Sequence, residues 1–566
     1  MARRRHALAL TLSVATLLAG GAVTPAAGAA EAEPGAQHAV LVLARPGAQD
    51  PAVRAAITAA GGTVTRAEAA VGLYTVSTAR PGFAADVRRS ADVDTAAPDR
   101  VVGRVPQRRK PGRDEIERMQ RERAAHPGPG RVVGEAATPV EGGKVDPTGE
   151  PLWKLQWDLA MIHTPAALRA STGRGVQVGV MDTGIDAAHP DLAANVDAAL
   201  SRNFTKDIPE IDGPCAEDPD GSCEDPVTVD ENGHGTHVAS TIGAAVNGIG
   251  IAGVAPQADL VNLRVGQDSG YVFLGPVVSA LVHAGSAHLD VVNMSFGIDP
   301  WAFNCADNPA DTPEQQAQQR LTIEATNRAL RYARDQGVTL VGTAGNTATD
   351  LDHPTVDDSS PDYPEGAAHP RRVDNSCLAL PAEGDHVLTV TAVGPSTRKA
   401  YYSSYGLKAA DLAAPGGDYR DFPGTERNAQ FANTVLGALP KQVGIEQGSI
   451  DPATGAPTSP TVIRQGEAYY EYNQGTSMAA PHVAGVAALV IGARGGQGRQ
   501  GPSLSPAVVE RIVLGSATPH PCPTPATVVY PGVDPAYTAT CTGSTEHNSF
   551  YGDGIVDAAR AVSHRG

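Results

Sequence analysis

The sequence predicts an α/β fold: a mostly parallel sheet with helices on both faces, preceded by a small α+β module. Three observations predict it. Val-rich runs, VQVGVM (176–181), DLVNLRV (259–265), LDVVNMSF (289–296), VTLVGT (338–343) and VLTVTAV (387–393), are apolar almost throughout, as strands buried on both faces must be. Helical stretches lie between them, among them GPVVSALVHAGSA (275–287) and EATNRALRYARDQG (324–337), an alternation that belongs to parallel strands joined by crossovers. Residues 31–102 instead crowd short elements together: a strand HAVLVLA (38–44), a helix PAVRAAITAAGG (51–62), strands within 63–78 and a second helix GFAADVRRSADV (82–93).

Composition narrows the function classes. The 566 residues carry 62 Asp+Glu against 44 Lys+Arg, a net charge of −18, which argues against a nucleic-acid binder because phosphate affinity rests on clustered Lys and Arg. At 41% hydrophobic residues the chain has enough apolar surface to build a core. The charge is uneven: residues 1–150 are net +4 and residues 151–566 net −22. Opposite signs favour docking of the first region on the second.

The N-terminus reads as a secretory signal peptide over residues 1–30: Arg3, Arg4 and Arg5, an apolar stretch from Ala7 to Val23, then small residues to Ala30. General and twin-arginine export both remain open. No later window comes near 18 uninterrupted apolar residues, so a secreted, extracellular protein without stable membrane association is expected. Six cysteines, all beyond residue 200, suit an oxidising compartment. Short loops meet easily, so local pairing is expected: Cys215 with Cys223, Cys305 with Cys377 and Cys522 with Cys541. No CxxC occurs, which disfavours a thiolate zinc site. Residues 103–150, RVPQRRKPGRDEIERMQ onwards, form a charged stretch broken by Pro and Gly, read as an exposed linker containing a processing region.

Three segments place reactive groups at the edges of regular elements. VGVMDTGID puts Asp182 just past a buried strand, where open α/β sheets bind ligands. NGHGTHVASTIGA opens a helix with His234 in its first turn. NQGTSMAAPHVAGVAALV begins a long apolar helix with Ser477 near its N-terminus, where free N–H groups favour a developing oxyanion. A serine hydroxyl needs a base to take its proton, and the base needs a carboxylate to hold its tautomer. A fourth segment, VGTAGNTA, sets Asn346 after a strand, where its amide suits an oxyanion hole together with the Ser477 N–H. Pro481 reads as tolerated in the first turn of the Ser477 helix. His482 has no assigned role. His237, in an HxxH with His234, reads as a helix packing residue, because no third ligand is spaced to complete a metal site. GTSMA departs from the GxSxG elbow of α/β-hydrolases.

With these residues in place the chain resembles the subtilases, the subtilisin-like serine proteases. Four segments carry the resemblance in family order: DTGID around Asp182, HGTHVA around His234, AGN ending at Asn346 and GTSMAAPHVAG around Ser477. YGDGIVDAARAV (551–562) is similar to the family's closing segment. The resemblance implies a subtilisin-like catalytic domain over 151–566 and a serine endopeptidase with an Asp182-His234-Ser477 triad. It implies a zymogen whose 31–102 module is an inhibitory and chaperoning proregion. It further implies substrate-binding roles for Gly270, for Ser295, Phe296 and Gly297, and for Ala344 and Gly345, with extended peptides bound by strand addition. Protein or peptide substrates and the protein's own proregion are the partners, the enzyme is expected to be a monomer, and catalysis requires no cofactor.

Two inserts depart from the compact family pattern. One, KDIPEIDGPCAEDPDGSCEDPVTVDENG, lies between Asp182 and His234, and its oxygens raise Ca²⁺ as a structural ligand; a solvated, disulfide-closed loop is the favoured reading. The other fills over fifty residues between APGG (414–417) and the Ser477 motif. Two further readings compete with hydrolysis: a peptide-binding protein without turnover, and a ligase that passes an acyl-enzyme to an amine.

Overall fold

The computed structural model describes residues 37–99, 101–104, 145–217, 221–297, 300–361, 367–498 and 501–564. The expected signal peptide and most of the expected processing region lie outside the described residues.

The N-terminal module is a four-stranded antiparallel sheet of β1 (His38–Ala44), β2 (Thr63–Glu68), β3 (Leu73–Thr78) and β4 (Val93–Pro98), in the order β2-β3-β1-β4. Helices α1 (Asp50–Ala60) and α2 (Phe83–Val87) cover one face. Gly61 stops α1 in the left-handed conformation at φ 91°, its N–H returning to the last turn. The alternation in β1 divides its side chains: Val40 and Val42 pack with α1 and α2, while Leu41 and Leu43 face the other way. Strand β5 (Val101–Arg104) then leaves the module and crosses the expected boundary at residue 102.

The main body is a seven-stranded sheet. Its strands are β6 (Gln177–Asp182), β7 (Arg202–Asn203), β8 (Asp259–Arg264), β10 (Val291–Met294), β11 (Thr339–Thr343), β14 (Val387–Val393) and β15 (Leu412–Pro415), in the order β15-β14-β11-β10-β6-β8-β7. Every pairing in it is parallel. From β6 the chain first adds β8 on one side and later β10 on the other. The strand order therefore reverses at β6, and the crevice at the carboxyl ends of such strands is where open sheets bind ligands.

Both faces are buried, which explains the continuous apolar runs. Val178, Val180, Val291 and Val341 face a core made with α3 (His234–Gly243) and α6 (Thr476–Arg494). Met181, Val292 and Leu340 face α4 (Leu274–Ser286) and α5 (Pro313–Asp335). Helix α6 is long and apolar enough to cross a membrane, but 89% of its apolar window is buried in the body, so its composition follows from burial on all sides. Helix α5 starts eleven residues before the run 324–337. A capping box sets its start: Thr312 Oγ1 accepts from Gln315 N–H at 3.2 Å and Gln315 Oε1 from Thr312 N–H at 2.8 Å.

The same outer surface carries the module. Leu41, Leu43, Val71, Leu73 and Ala97 share a core with α4 and α5. Ser279 Oγ donates to Glu68 Oε1 at 2.7 Å, and Arg328 donates to Ala44 O at 2.7 Å and Asp94 Oδ2 at 2.8 Å. Strand β5 continues the contact by pairing antiparallel with β9 (Tyr271–Phe273), Val101 opposite Phe273 and Arg104 opposite Tyr271.

Two inserts build on this frame. One contains the short antiparallel pair β12 (Val356–Asp357) and β13 (Arg371–Arg372), closed by the Cys305–Cys377 disulfide. The other is a sheet of β16 (Val435–Ala438), β17 (Val462–Gln465) and β18 (Ala468–Asn473), with its own core of Leu439, Val443, Ile450, Val462 and Tyr469. Disulfides Cys215–Cys223 and Cys522–Cys541 complete the local pairings expected from the sequence.

Arg371 holds the first insert together. Its guanidinium is fully buried, pairs with Asp311 at 2.8 Å and Asp357 at 2.7 Å, and lies 4.5 Å from the centre of the Trp301 ring. Removing one partner of such a cluster strands buried carboxylates. Arg371→Met is expected to cost about 3–5 kcal/mol of stability, read as a drop in the urea midpoint with an unchanged slope.

Candidate functional site

Asp182 ends β6, at the point where the strand order reverses, and is fully buried. Its Oδ1 accepts the Thr183 N–H at 2.8 Å and meets His234 Nδ1 at 2.8 Å. A carboxylate on Nδ1 fixes the tautomer with the proton there, leaving Nε2 basic. His234 Nε2 has no partner among the described residues.

His234 takes this position because α3 starts on it, after Gly233 at φ 92°. The approach also depends on Gly235, where a Cβ would collide with the Gly184 carbonyl oxygen. A second buried carboxylate ties the two loops together. Asp230 accepts from Thr183 Oγ1 at 3.0 Å, Gly233 N–H at 2.8 Å, Thr236 N–H at 2.9 Å and Thr236 Oγ1 at 2.6 Å. Sequence reasoning missed Asp230; its signal was an Asp four residues before His234, which two glycines flank, where a carboxylate can collect the free N–H groups of a helix start.

Ser477 is the second residue of α6. The N–H groups on either side of it are taken, Thr476 N–H by Asn346 Oδ1 at 2.9 Å and Met478 N–H by Gly475 O at 3.0 Å. Asn346 Oδ1 also accepts Thr476 Oγ1 at 2.8 Å. The amide is thereby oriented with Oδ1 toward Thr476 and Nδ2 left to donate beside Gly475, 3.6 Å from where a Cβ on that glycine would lie. The Ser477 side chain donates to Ser295 O at 3.1 Å, and Ser295 Oγ donates to Ser477 O at 2.9 Å.

The remaining sequence-predicted residues fall around this centre. Ser295 and Gly297 follow β10, and Ala344 and Gly345 follow the neighbouring β11. A Cβ on Gly297 would meet open space. Gly345, at φ 96°, donates to Thr476 Oγ1 at 3.2 Å. Phe296 is 1% exposed and packs with Leu321 and Leu330 of α5, so its ring belongs to the core beneath the strand. Gly270, at φ 85°, closes a tight turn before β9, donating to Gln267 O at 2.8 Å. Asn232 Nδ2 donates to Asp268 O at 3.0 Å in that turn and Asn232 Oδ1 accepts the His234 N–H at 3.2 Å, which sets the β9 hairpin beside His234.

His237 and His482 make structural contacts. His237 Nε2 contacts Val435 O at 3.2 Å and Glu471 O at 3.1 Å, fastening the second insert to α3. His482 bridges Met478 O at 2.8 Å and Asp158 Oδ2 at 3.1 Å. In the acidic insert, Asp207 and Asp225, with Asp268 of the β9 hairpin, converge on the buried guanidinium of Arg264. Burial pushes Asp268 up to about 8 while Arg264 pulls it down. These carboxylates do not fit a calcium ion, because a protein cation already stands among them.

Comparison with known proteins identifies the family. The profile described as the subtilase family matches residues 173–554. The chain is 30% identical over 338 residues to M-protease of Shouchella clausii, covering 59% of each protein. It is 29% identical to an intracellular serine protease of Paenibacillus polymyxa, covering 58% of this chain and 71% of that one. The chain thus spans about 59% of the length of M-protease. Two solved structures share the fold. The epidermin leader peptide processing serine protease of Staphylococcus aureus matches with a TM-score of 0.60 at 17% identity, over 94% of this chain and 99% of that one. Fervidolysin of Fervidobacterium pennivorans matches with a TM-score of 0.57 at 20% identity, over 95% and 62%.

The Asp230 network makes a separate demand. Asp230→Ala leaves buried N–H and hydroxyl donors at the His234 helix start without acceptors, and is expected to cost about 2–5 kcal/mol, measured by urea unfolding beside the parent protein.

Proposed function

The chain belongs to the subtilase family, and from that membership and the site geometry we propose that it is a secreted serine endopeptidase made as a zymogen. The observation that carries the reading is the Asp182–His234 contact at 2.8 Å, which leaves His234 Nε2 without a partner among the described residues; α3, which bears His234, packs against α6, which holds Ser477 in its first turn beside the Asn346 amide, with the Ser477 hydroxyl donating to Ser295 O.

In this reading His234 Nε2 takes the Ser477 proton as Oγ attacks the peptide carbonyl. Asp182 holds the imidazole tautomer and stabilises the imidazolium. The Ser477 N–H and Asn346 Nδ2 receive the oxyanion. His234 returns the proton to the leaving amine, and water then releases the acyl-enzyme. The site residues need no metal or cofactor for these steps. Peptides would lie extended between the Ser295–Gly297 segment and the Gly270 hairpin.

The module over 31–102 acts as proregion in this proposal. It buries apolar side chains on α4 and α5, and β5 already occupies the edge of β9, as a strand-adding substrate would. Arg104, the last described residue of this segment, pairs with Tyr271 next to the Gly270 turn, which supports processing within the linker at 103–150.

Ser477→Ala is expected to lower peptide hydrolysis at least about 10³-fold and to leave the secreted precursor uncut, read by fluorogenic peptide assay and intact-mass measurement. Normal cleavage by that variant would refute the mechanism. A folded wild type that fails to react with a serine-directed phosphonate would instead favour the peptide-binding reading, and amine-capped products would favour a ligase.

Proregion docking carries a pH dependence. Asp99 is partly buried, with its carboxyl turned in against Gly275 in the first turn of α4; burial pushes the carboxyl up to about 7, and the Gly275 N–H only partly offsets this. Docked Asp99 keeps its proton while an undocked or unfolded one, near 3.8, loses it, so docking weakens as pH rises from 4 to 7 and levels off above. Asp99→Asn, placed in the uncut Ser477→Ala precursor, is expected to gain about 4 kcal/mol on its parent across that interval. Urea unfolding at pH 4 and pH 7.5 checks it, and an equal difference at both would reject this origin.

A further inference from the structure

We propose that Ser295 is a positioning residue that holds the nucleophile through the main-chain carbonyl of Ser477, with Asn293 aiming its hydroxyl. The inference rests on the reading of Ser477 as nucleophile.

The need for such a residue is created by Pro481. In an α-helix the carbonyl of one residue accepts the N–H of the fourth residue after it, and the fourth residue after Ser477 is Pro481. It is the sixth residue of α6, beyond the four opening positions whose N–H groups have no helical partner. This corrects the sequence expectation that Pro481 falls where a missing N–H costs nothing. The ring removes the one N–H that would bond the Ser477 carbonyl, and Ser477 is 1% exposed, so bulk water does not replace it.

Ser295 supplies the missing donor. Its Oγ reaches Ser477 O at 2.9 Å, and Asn293 Nδ2 donates to that same Oγ at 2.9 Å, leaving the hydroxyl proton free to point at the carbonyl. Asn293 and Ser295 are fully buried. Asn293 sits in β10 with its register set on both sides, opposite Val180 of β6 and Val341 of β11. The sheet therefore fixes Asn293, Asn293 fixes the Ser295 hydroxyl, and that hydroxyl fixes the backbone carrying the nucleophile.

The bond is reciprocated, since Ser477 Oγ donates to the Ser295 carbonyl at 3.1 Å. When Ser477 Oγ turns to His234 during attack, the reciprocal bond is lost and the Ser295 hydroxyl still ties the Ser477 carbonyl to the end of β10. A residue acting in this way alters the turnover step more than substrate binding.

A double-mutant cycle tests the proposal on enzyme normalised by active-site titration. Ser295→Ala is expected to lower kcat about tenfold or more with KM changed less than about twofold, and Ser295→Thr to keep most of kcat. Pro481→Ala restores the helical N–H, so adding it to Ser295→Ala is expected to recover most of the lost kcat. A Ser295→Ala enzyme within about twofold of wild type in kcat would overturn the proposal, as would a double variant whose losses simply multiply. If Ser295→Ala fails to mature, the same rescue is read as recovery of processing, and its absence overturns the proposal equally. Loss of the nucleophile reading would appear separately, as activity retained by Ser477→Ala.

Discussion

A carboxylate taken wholly out of water at the end of the central strand is the constraint around which the rest of the site is arranged. Asp182 is fully buried, and an ionised group in such a place is tolerated only when hydrogen bonds replace its hydration. The replacements come from the next residue and from a helix that must approach almost to backbone contact. That approach dictates Gly235, since any side chain there meets the Gly184 carbonyl. It also dictates Asp230, which collects the donors that the close packing of the two loops would otherwise strand. The position of the His234 imidazole follows from its contact with the Asp182 carboxylate.

The second insert is bound to the same frame by polar contacts. Tyr470 donates to Asp191 Oδ2 at 2.6 Å, His237 meets the carbonyls of β16 and β18, and Trp157 Nε1 donates to Thr434 O at 3.0 Å. Burial pushes Asp191 up to about 7, although the Tyr470 hydroxyl pulls it down. Glu150, nearby, is likewise pushed up to about 7 by burial. Buried directional bonds specify one docking geometry more sharply than apolar contact does, and this insert docks on the helix that carries His234. A fluctuation of the insert is thereby coupled to His234 through His237, one turn along α3.

Much of the fold and the centre of the site was legible in the sequence, for a local reason. Buried strands must be apolar on both faces, so each Val-rich run marks its own position, and the residues at a helix start or a strand end are written beside the element they terminate. The disulfides followed the same logic of proximity. What stayed hidden depends on partners far apart in the chain. The core position of Phe296 is decided by α5, and the extra turns of α5 by a Thr312–Gln315 box in a polar stretch with little apolar periodicity. The pairing of β5 with β9 joins residues whose separation in sequence gives no hint of contact. Pro481 was visible, but its consequence was not, because the hydroxyl that answers it comes from residue 295.

Placing the reactive groups on separate elements carries an energetic consequence. Asp182, His234, Ser477 and Asn346 stand on β6, α3, α6 and the end of β11, and no local stretch of chain fixes one against another. Their alignment relies on cross-links between elements: Asp230 between the first two, Asn346 Oδ1 on Thr476, Gly345 N–H on Thr476 Oγ1, and the Ser295–Ser477 pair. Each is a wholly or partly buried polar bond whose loss leaves an unpaired group, so each resists displacement more strongly than its net contribution to stability would suggest. The sheet and helices locate the groups to within the width of a side chain, and these bonds supply the last increment of alignment that proton transfer requires. Folding and catalysis thus draw on different contacts, which is why the apolar core can be read from strand composition while the alignment of the site can be read only from the assembled chain.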